Sequence, residues 1–152
     1  MDILRNAFGE FQLARFPRRK REQLRAWDAA DEYILQHLSE NKLINPQANV
    51  LILNDQFGAL TISLTPFKPE LISDSWLAHA GIKANLTDNQ INPEEVTLHT
   101  SLDYPEQPFD VVLIKVPKSL AMLEDQLIRL KPLLKPNSIV VAGAMAKSIH
   151  TS

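Results

Sequence analysis

The chain has 152 residues, a mass of 17.2 kDa and a formal net charge of −2. This is the size of one domain, and the 45% hydrophobic and 22% charged fractions exclude a disordered or collagen-like chain. Without cysteine there are no disulfides or thiolate sites, and no apolar run approaches the ~20 residues of a membrane helix. Because the N-terminus is charged rather than a secretory signal, we expect a cytoplasmic protein with no membrane contact.

The basic side chains are concentrated in an N-terminal arm, residues 1–25. This arm has seven basic and three acidic side chains, a net charge of +4, whereas residues 26–152 carry −6. Clustered arginine and lysine neutralise phosphates and release counterions, so the asymmetry predicts an anionic partner. A solvated run of charges is the alternative, and the sequence alone does not decide between them. The candidate phosphate-binding residues of the arm are Arg15, Arg18, Arg19, Lys20, Arg21 and Arg25.

After the arm, helical spacing of apolar residues predicts an amphipathic helix over about residues 25–39. Short apolar runs, typical of buried strands, follow at 50–53, 71–73, 96–99, 111–114 and 138–142. Helices are predicted between them at 59–64, at 76–85 with Ser75 as N-cap, and along a leucine stripe at 120–134. This alternation indicates βαβ units, and therefore an α/β domain with an open, mostly parallel sheet and helices on both faces.

Ligands of such sheets bind at the carboxyl ends of the strands, so the residues that follow each strand are site candidates. The loop after the first strand holds Asp55 and a single glycine, Gly58, which fits either a weak nucleotide cradle or an ordinary turn. Asp74 follows the second strand, where an acid can bind a ribose diol or complement a helix dipole.

Two lysines, Lys115 and Lys118, follow the fourth strand. They are unfavourable beside a cationic sulfonium but suit a phosphate backbone, and solvated lysines are the alternative. The four histidines show no metal-ligand spacing, so no metal site is predicted. No nucleophile motif identifies a catalytic residue.

Six segments together resemble one known family: AWDAADEY at 26–33, VLILNDQFGAL at 50–60, YPEQP at 104–108, VVLIKVPK at 111–118, AGA at 142–144 and IHTS at 149–152. Over about residues 8–152 the chain resembles the N-terminal half of bacterial 23S ribosomal RNA guanine-N2 methyltransferases of the RsmC/RlmG family. The resemblance implies a Rossmann-like, methyltransferase-like fold.

The family resemblance also implies two tandem domains with different functions. The C-terminal domain binds S-adenosylmethionine and carries an Asn-Pro-Pro-Phe type motif, whereas the N-terminal domain is a degenerate copy thought to help recognise RNA. In this chain Asp55, Gly58 and Asp74 would then be vestiges of a cofactor site, and residues 115–118 replace the catalytic motif. We therefore expect neither a cofactor nor a catalytic residue in the degenerate domain, residues 26–152.

The leading interpretation is an RNA-recognition half of a ribosomal RNA methyltransferase, whose arm, Lys115 and Lys118 contact rRNA phosphates. Its partners would be ribosomal RNA and the catalytic C-terminal domain. Because the sequence ends soon after the fifth predicted strand, we expect a fragment truncated at that point. Two alternatives remain: a scaffold that binds the catalytic half without touching RNA, and an enzyme that binds a nucleotide cofactor itself.

Overall fold

The structure, a computed structural model, describes residues 2–144. Within these residues the strands are β1 (Asp2–Asn6), β2 (Gly9–Leu13), β3 (Val50–Leu53), β4 (Glu70–Ile72), β5 (Thr97–His99), β6 (Phe109–Lys115) and β7 (Leu134–Gly143). The α-helices of the same part of the chain are α1 (Ala29–Glu40), α2 (Ala59–Ser63), α3 (Trp76–Asp88) and α4 (Leu120–Leu130). Short 3₁₀ turns lie at Thr65–Phe67, Pro93–Glu95 and Lys131–Leu133.

Five of the strands form one parallel sheet in the order β5-β4-β3-β6-β7. The central pair, β3 and β6, runs in register from Val50 opposite Val111 to Leu53 opposite Ile114. The chain adds β4 and β5 on one side of β3, then crosses back to add β6 and β7 on the other. This reversal creates a switch point between β3 and β6, where the predicted α/β fold places a ligand site.

Alternate residues of the sheet point into two separate apolar cores, and this confirms the predicted helices on both faces. Val50 and Ile52 face the larger core, which is covered by α1, α2 and α3. Leu51 and Leu53 face the smaller core, to which α4 contributes Leu130. Burial on both faces explains why the central strands appear in the sequence as continuous apolar runs.

A β-hairpin at the N-terminus was not predicted from the sequence. Strands β1 and β2 pair antiparallel from Asp2 opposite Leu13 to Asn6 opposite Gly9. Leu4 and Leu13 are buried in the larger core, so the first half of the basic arm is part of the folded domain. The charges of the arm are therefore presented mainly by the loop from residue 14 to residue 28, here called the basic loop.

One buried side chain, Asn85 of α3, fixes the start of the basic loop. Its carboxamide accepts from the Ala14 N–H at 3.1 Å and donates to the Ala14 carbonyl at 2.9 Å. It also donates to the carbonyl of Phe57, at 2.8 Å, in the loop after β3. One amide thus connects the end of the hairpin, α3 and the β3 loop.

Two predicted element boundaries were wrong for local reasons. Helix α1 begins at residue 29 rather than about 25, because Asp28 is its N-cap and accepts from the N–H groups of Ala30 and Asp31. The leucine stripe at 120–134 is not one helix: α4 ends at Leu130, a 3₁₀ turn containing Pro132 follows, and Leu134 already belongs to β7. The N-cap prediction at Ser75 is confirmed, since its hydroxyl accepts from the Ala78 N–H at 3.1 Å.

The segment 149–152, which contributes to the family resemblance, lies outside the described residues. The expected truncation after the last strand falls there as well.

Replacing Asn85 with alanine should lower the free energy of unfolding by about 3 kcal/mol, because buried backbone groups of Ala14 and Phe57 lose their partners. Urea denaturation measures the change. Asn41→Ala, at the exposed C-cap of α1, is the control and should cost less than about 1 kcal/mol. Equal losses in the two variants would contradict the role assigned to Asn85.

Candidate functional site

A cavity of about 770 Å³ lies at the carboxyl ends of β3, β4 and β6, at the switch point of the sheet. The predicted strand-end residues Asp55, Asp74, Lys115 and Lys118 line this cavity, and so does the start of the basic loop. The residues used below that line it are Arg15, Phe16, Asp28, Asn54, Asp55, Phe57, Asp74, Ser75, Leu77, Lys115 and Lys118. The predicted site residues that are not among those that line it are Arg18, Arg19, Lys20, Arg21, Arg25 and Gly58.

The floor of the cavity is held by an amide pair between β3 and α4. Asn54, which has a positive φ of 70°, donates to Gln126 Oε1 at 3.0 Å and accepts from Gln126 Nε2 at 2.9 Å. Asn54 also donates to the carbonyl of Lys115 at 2.9 Å. The ends of β3 and β6 are therefore fixed relative to each other by side-chain hydrogen bonds as well as by the sheet.

Lys115 turns into the protein rather than toward a ligand. Its ammonium lies 2.9 Å from the carboxylate of Asp31 and 3.2 Å from that of Asp28, and its side chain is only 11% exposed. Burial alone would lower the pKa of Lys115, but the carboxylates of Asp31, Asp28 and Asp55 outweigh it and raise that pKa. The predicted contact of Lys115 with phosphate is not favoured by this arrangement, since its charge is already neutralised within the chain.

Asp31 is the most perturbed acid of this cluster. Burial, reinforced by the negative charge of Asp55, raises the pKa of Asp31 to about 7 against the opposing effect of Lys115. Its Oδ1 has no hydrogen-bond partner among the described residues. The cluster is thus an internal ion pair in which burial disfavours the charged form of one carboxyl group, that of Asp31.

The predicted vestiges of a cofactor site are engaged in holding the fold. Asp55 is buried and accepts from both the N–H and the hydroxyl of Thr61, at 2.9 and 2.7 Å. Gly58 has φ +100°, and a Cβ there would lie 2.8 Å from Ile62 Cδ1, so this glycine serves the turn into α2. Asp74 accepts from the Ser101 N–H at 2.7 Å, and this bond lowers the pKa of Asp74.

These residues do not fit S-adenosylmethionine. The loop after β3 has one glycine, and the carboxylate of Asp55 that follows β3 is buried and already accepts two hydrogen bonds from Thr61. The ammonium of Lys115 lies beside the acids that could otherwise balance a sulfonium. No step involving a cofactor is therefore assigned to residues 2–144.

Three arginines of the basic loop are anchored by contacts within the chain. Arg15 donates to the carbonyl of Arg25 at 2.9 Å, and its guanidinium lies over the Phe57 ring at 5.6 Å. Arg18 pairs with Asp88 and also donates to Asn85 at 3.2 Å. Arg25 lies 5.0 Å from the centroid of the buried Trp27 ring and 3.6 Å from a carboxylate oxygen of Glu32.

The remaining cations of the loop face solvent. Arg19, Lys20 and Arg21 are exposed, and no ion pair joins them to a carboxylate within residues 2–144. Lys118 is exposed as well, at the mouth of the cavity. Charges that are held in place by neighbouring anchors but remain unneutralised are available to an anionic partner.

Sequence reasoning missed the acids that neutralise Lys115 and the exposed ring of Trp76. The acids had a detectable signal, because Asp28 and Asp31 are three residues apart before an apolar helix, the spacing of a capping box. Trp76 was recognised only as the first residue of a helix, and nothing in the spacing indicated that 73% of its surface is exposed.

Among residues 2–144, no group of three or more His, Asp or Glu side chains is arranged to hold a metal ion. None of the helices described is long and apolar enough to cross a membrane.

The strand order and the cavity at the switch point define a Rossmann-like fold of the methyltransferase class. A solved 16S rRNA methyltransferase from T. thermophilus, in complex with AdoMet and guanosine, superposes with a TM-score of 0.73 over 93% of this chain and 40% of that one, at 18% identity. A ribosomal protein L11 methylase from Lactobacillus delbrueckii gives 0.58 over 69% of this chain and 55% of that one, also at 18% identity. At these identities the likeness shows the fold alone.

The model of the RLMG N-terminal domain matches residues 1–152, and the chain belongs to that family. Two curated relatives are named ribosomal RNA large subunit methyltransferase G. The one from Streptomyces coelicolor is 46% identical over 145 residues, which are 95% of this chain and 38% of the relative. The one from Streptomyces avermitilis is 44% identical over 152 residues, 99% of this chain and 40% of the relative. The chain therefore spans about two fifths of the length of these relatives.

The pKa of Asp31 predicts how stability depends on pH. An unfolded aspartic acid titrates near 4 and folded Asp31 near 7, so between these values the folded chain holds the extra proton. The contribution of Asp31 to stability therefore falls as pH rises from 5 to 7, by about 2 kcal/mol. Denaturation at several pH values should show Asp31→Asn losing this dependence relative to the wild type.

Asp28→Asn is the matched control. Burial acts to raise the pKa of Asp28, but Lys115 and local hydrogen bonds outweigh burial, so that pKa is lowered. That variant should lose a constant amount of stability above pH 5. A constant difference between wild type and Asp31→Asn over the same range would contradict the raised pKa.

Proposed function

We propose that this chain is the non-catalytic RNA-recognition domain of a longer, S-adenosylmethionine-dependent methyltransferase that modifies a guanine N2 of large-subunit ribosomal RNA. The family and the names of the relatives support the parent activity, and the relatives are more than twice as long as this chain. The cofactor and the catalytic residues would belong to the remaining part of the protein. Within residues 2–144 the switch-point cavity does not fit the cofactor, which supports the assignment of a non-catalytic role.

The observation that carries the RNA-binding role is the exposed, unneutralised cluster Arg19, Lys20 and Arg21 on a loop whose neighbours are anchored. Arg18, just before this cluster, is joined to α3 through its ion pair with Asp88. Arg25, just after the cluster, is joined to the start of the loop because its carbonyl accepts from Arg15. Pre-ordering by these anchors reduces the entropy lost when phosphates bind. The overall charge of the chain is negative, so any attraction for RNA must come from such local clusters.

A second function, support of the catalytic half, is favoured by an apolar surface. Leu120 and Ile128 of α4 are each 69% exposed, and Leu127 is also exposed. Val140 of β7 pairs beside Val112, so it points to the same face of the sheet as α4, and it is uncovered. Exposed apolar side chains concentrated on one face of a domain are a common feature of protein–protein interaction sites. This surface lies on the opposite face from α3, so both functions are compatible.

The RNA-binding role is tested by neutralising the cluster. Arg19→Gln, Lys20→Gln and Arg21→Gln together should weaken binding to deproteinised 23S rRNA and reduce the slope of log affinity against log salt by about 2–3. Filter binding or fluorescence anisotropy at several salt concentrations measures both.

The matched control removes three exposed lysines elsewhere, Lys42→Gln, Lys68→Gln and Lys131→Gln, which changes the net charge equally. It should alter the slope by less than half as much. A wild-type chain that ignores rRNA yet binds the catalytic half would instead establish the scaffold. Calorimetric binding of S-adenosylmethionine to this chain would contradict the non-catalytic assignment.

A further inference from the structure

Trp76 is a large aromatic side chain in an unusual position. It is the first residue of α3, directly after the N-cap Ser75, and 73% of its surface is exposed. Burying an indole is one of the largest apolar contributions a side chain makes to stability, so its exposure here has a cost that packing within residues 2–144 does not recover. A ligand or partner that covers the ring would recover it.

The indole is held in place without being covered. The ring of Phe16 contacts it edge to face, with centroids 6.3 Å apart and planes at 67°. Phe16 itself is close to α3, since a Cβ on Gly81 would lie 3.0 Å from Phe16 Cβ. The absence of a side chain at Gly81 thus lets the basic loop lie directly on α3 and support the indole. A ring positioned in this way loses little conformational entropy when something stacks on it.

The charges around the indole favour a nucleic acid. Its sequence neighbours Ser75 and Leu77 line the switch-point cavity, where the acids Asp28, Asp55 and Asp74 offset the cations Arg15, Lys115 and Lys118. Of these six charges, those of Asp28, Asp55 and Lys115 are paired or hydrogen-bonded within the chain, and Lys118 is exposed. Phe16, which touches the ring, is followed closely in sequence by the cluster Arg19 to Arg21. Cations beside an exposed aromatic ring are the combination by which proteins bind unpaired nucleotides, the cations contacting phosphates and the ring stacking on a base.

We infer that Trp76 is a stacking platform for an unpaired base of the bound RNA, with the basic loop holding the adjoining phosphates. This inference rests on the proposed RNA-binding function and adds that the preferred substrate is single-stranded at this point. A base within a duplex is already stacked on both faces and cannot reach a protein ring, whereas a base in a loop or bulge can. The Asp74 carboxylate, two residues from the indole, disfavours a phosphate there and leaves the ring to the base.

The test uses the intrinsic fluorescence of this chain, which has two tryptophans. Trp27 is buried, at 8% exposure, whereas Trp76 is open to solvent. Titration with a short oligouridylate should quench the emission as bases stack on the indole, and an RNA duplex of equal length should quench it much less. Trp76→Ala should lower the affinity for the oligouridylate about tenfold. Trp76→Phe should retain most of the affinity while losing the fluorescence change.

Because Trp76 is exposed, both variants should fold, and urea denaturation verifies this. One result separates the stacking inference from the proposed function. If the wild-type chain binds oligouridylate with a salt slope that depends on Arg19 to Arg21, the proposed function stands. If Trp76→Ala then binds oligouridylate as tightly as the wild type, the stacking inference is overturned. Equal quenching by the duplex also overturns it. If neither rRNA nor the oligouridylate binds, the proposed function itself has failed.

Discussion

The carboxamide of Asn85 is the interaction on which the position of the basic loop depends most directly. It joins the end of the N-terminal hairpin to α3 and to the loop after β3, and it also accepts from Arg18. The other end of the basic loop is held by the burial of Trp27 in the larger core, and its middle is held by exposed ion pairs, which contribute little stability. A buried amide with donors and acceptors satisfied on both sides can instead fix a polar segment on a helix. The loop is consequently a defined surface beside the switch point.

At the switch point itself, the polar groups serve the structure. The ion pair of Lys115 with Asp28 and Asp31 connects β6 to the start of α1, and Asp55 caps the turn that contains Gly58. Buried ion pairs contribute little net stability. Removing one member is nevertheless strongly destabilising, because it leaves the remaining charge buried and uncompensated. The ion pair therefore occupies the switch-point cavity of a methyltransferase-like sheet. The sheet keeps its fold, and the basic loop is the surface that is left for binding.

The sequence predicted the sheet well because its strands are buried on both faces. The runs 50–53 and 111–114 are continuous and apolar, and each became a strand within a few residues of the predicted bounds. The hairpin escaped prediction because its short strands mix charged and apolar residues, so that only Leu4 and Leu13 reveal the buried side. The fate of Lys115 could not be read from its neighbours, since the acids that neutralise it are more than eighty residues away in the chain. Likewise, the exposure of Trp76 depends on how the basic loop crosses α3.

The central claim is that RNA lies along the edge formed by the basic loop and the start of α3. Photo-cross-linking of 4-thiouridine-substituted 23S rRNA fragments to this chain, followed by peptide mass spectrometry, tests it directly. We expect cross-links within residues 15–25 and 74–80, two segments that are distant in sequence and in contact through Phe16 and Trp76. Cross-links confined to α4 and β7, on the opposite side of the sheet, would contradict the account.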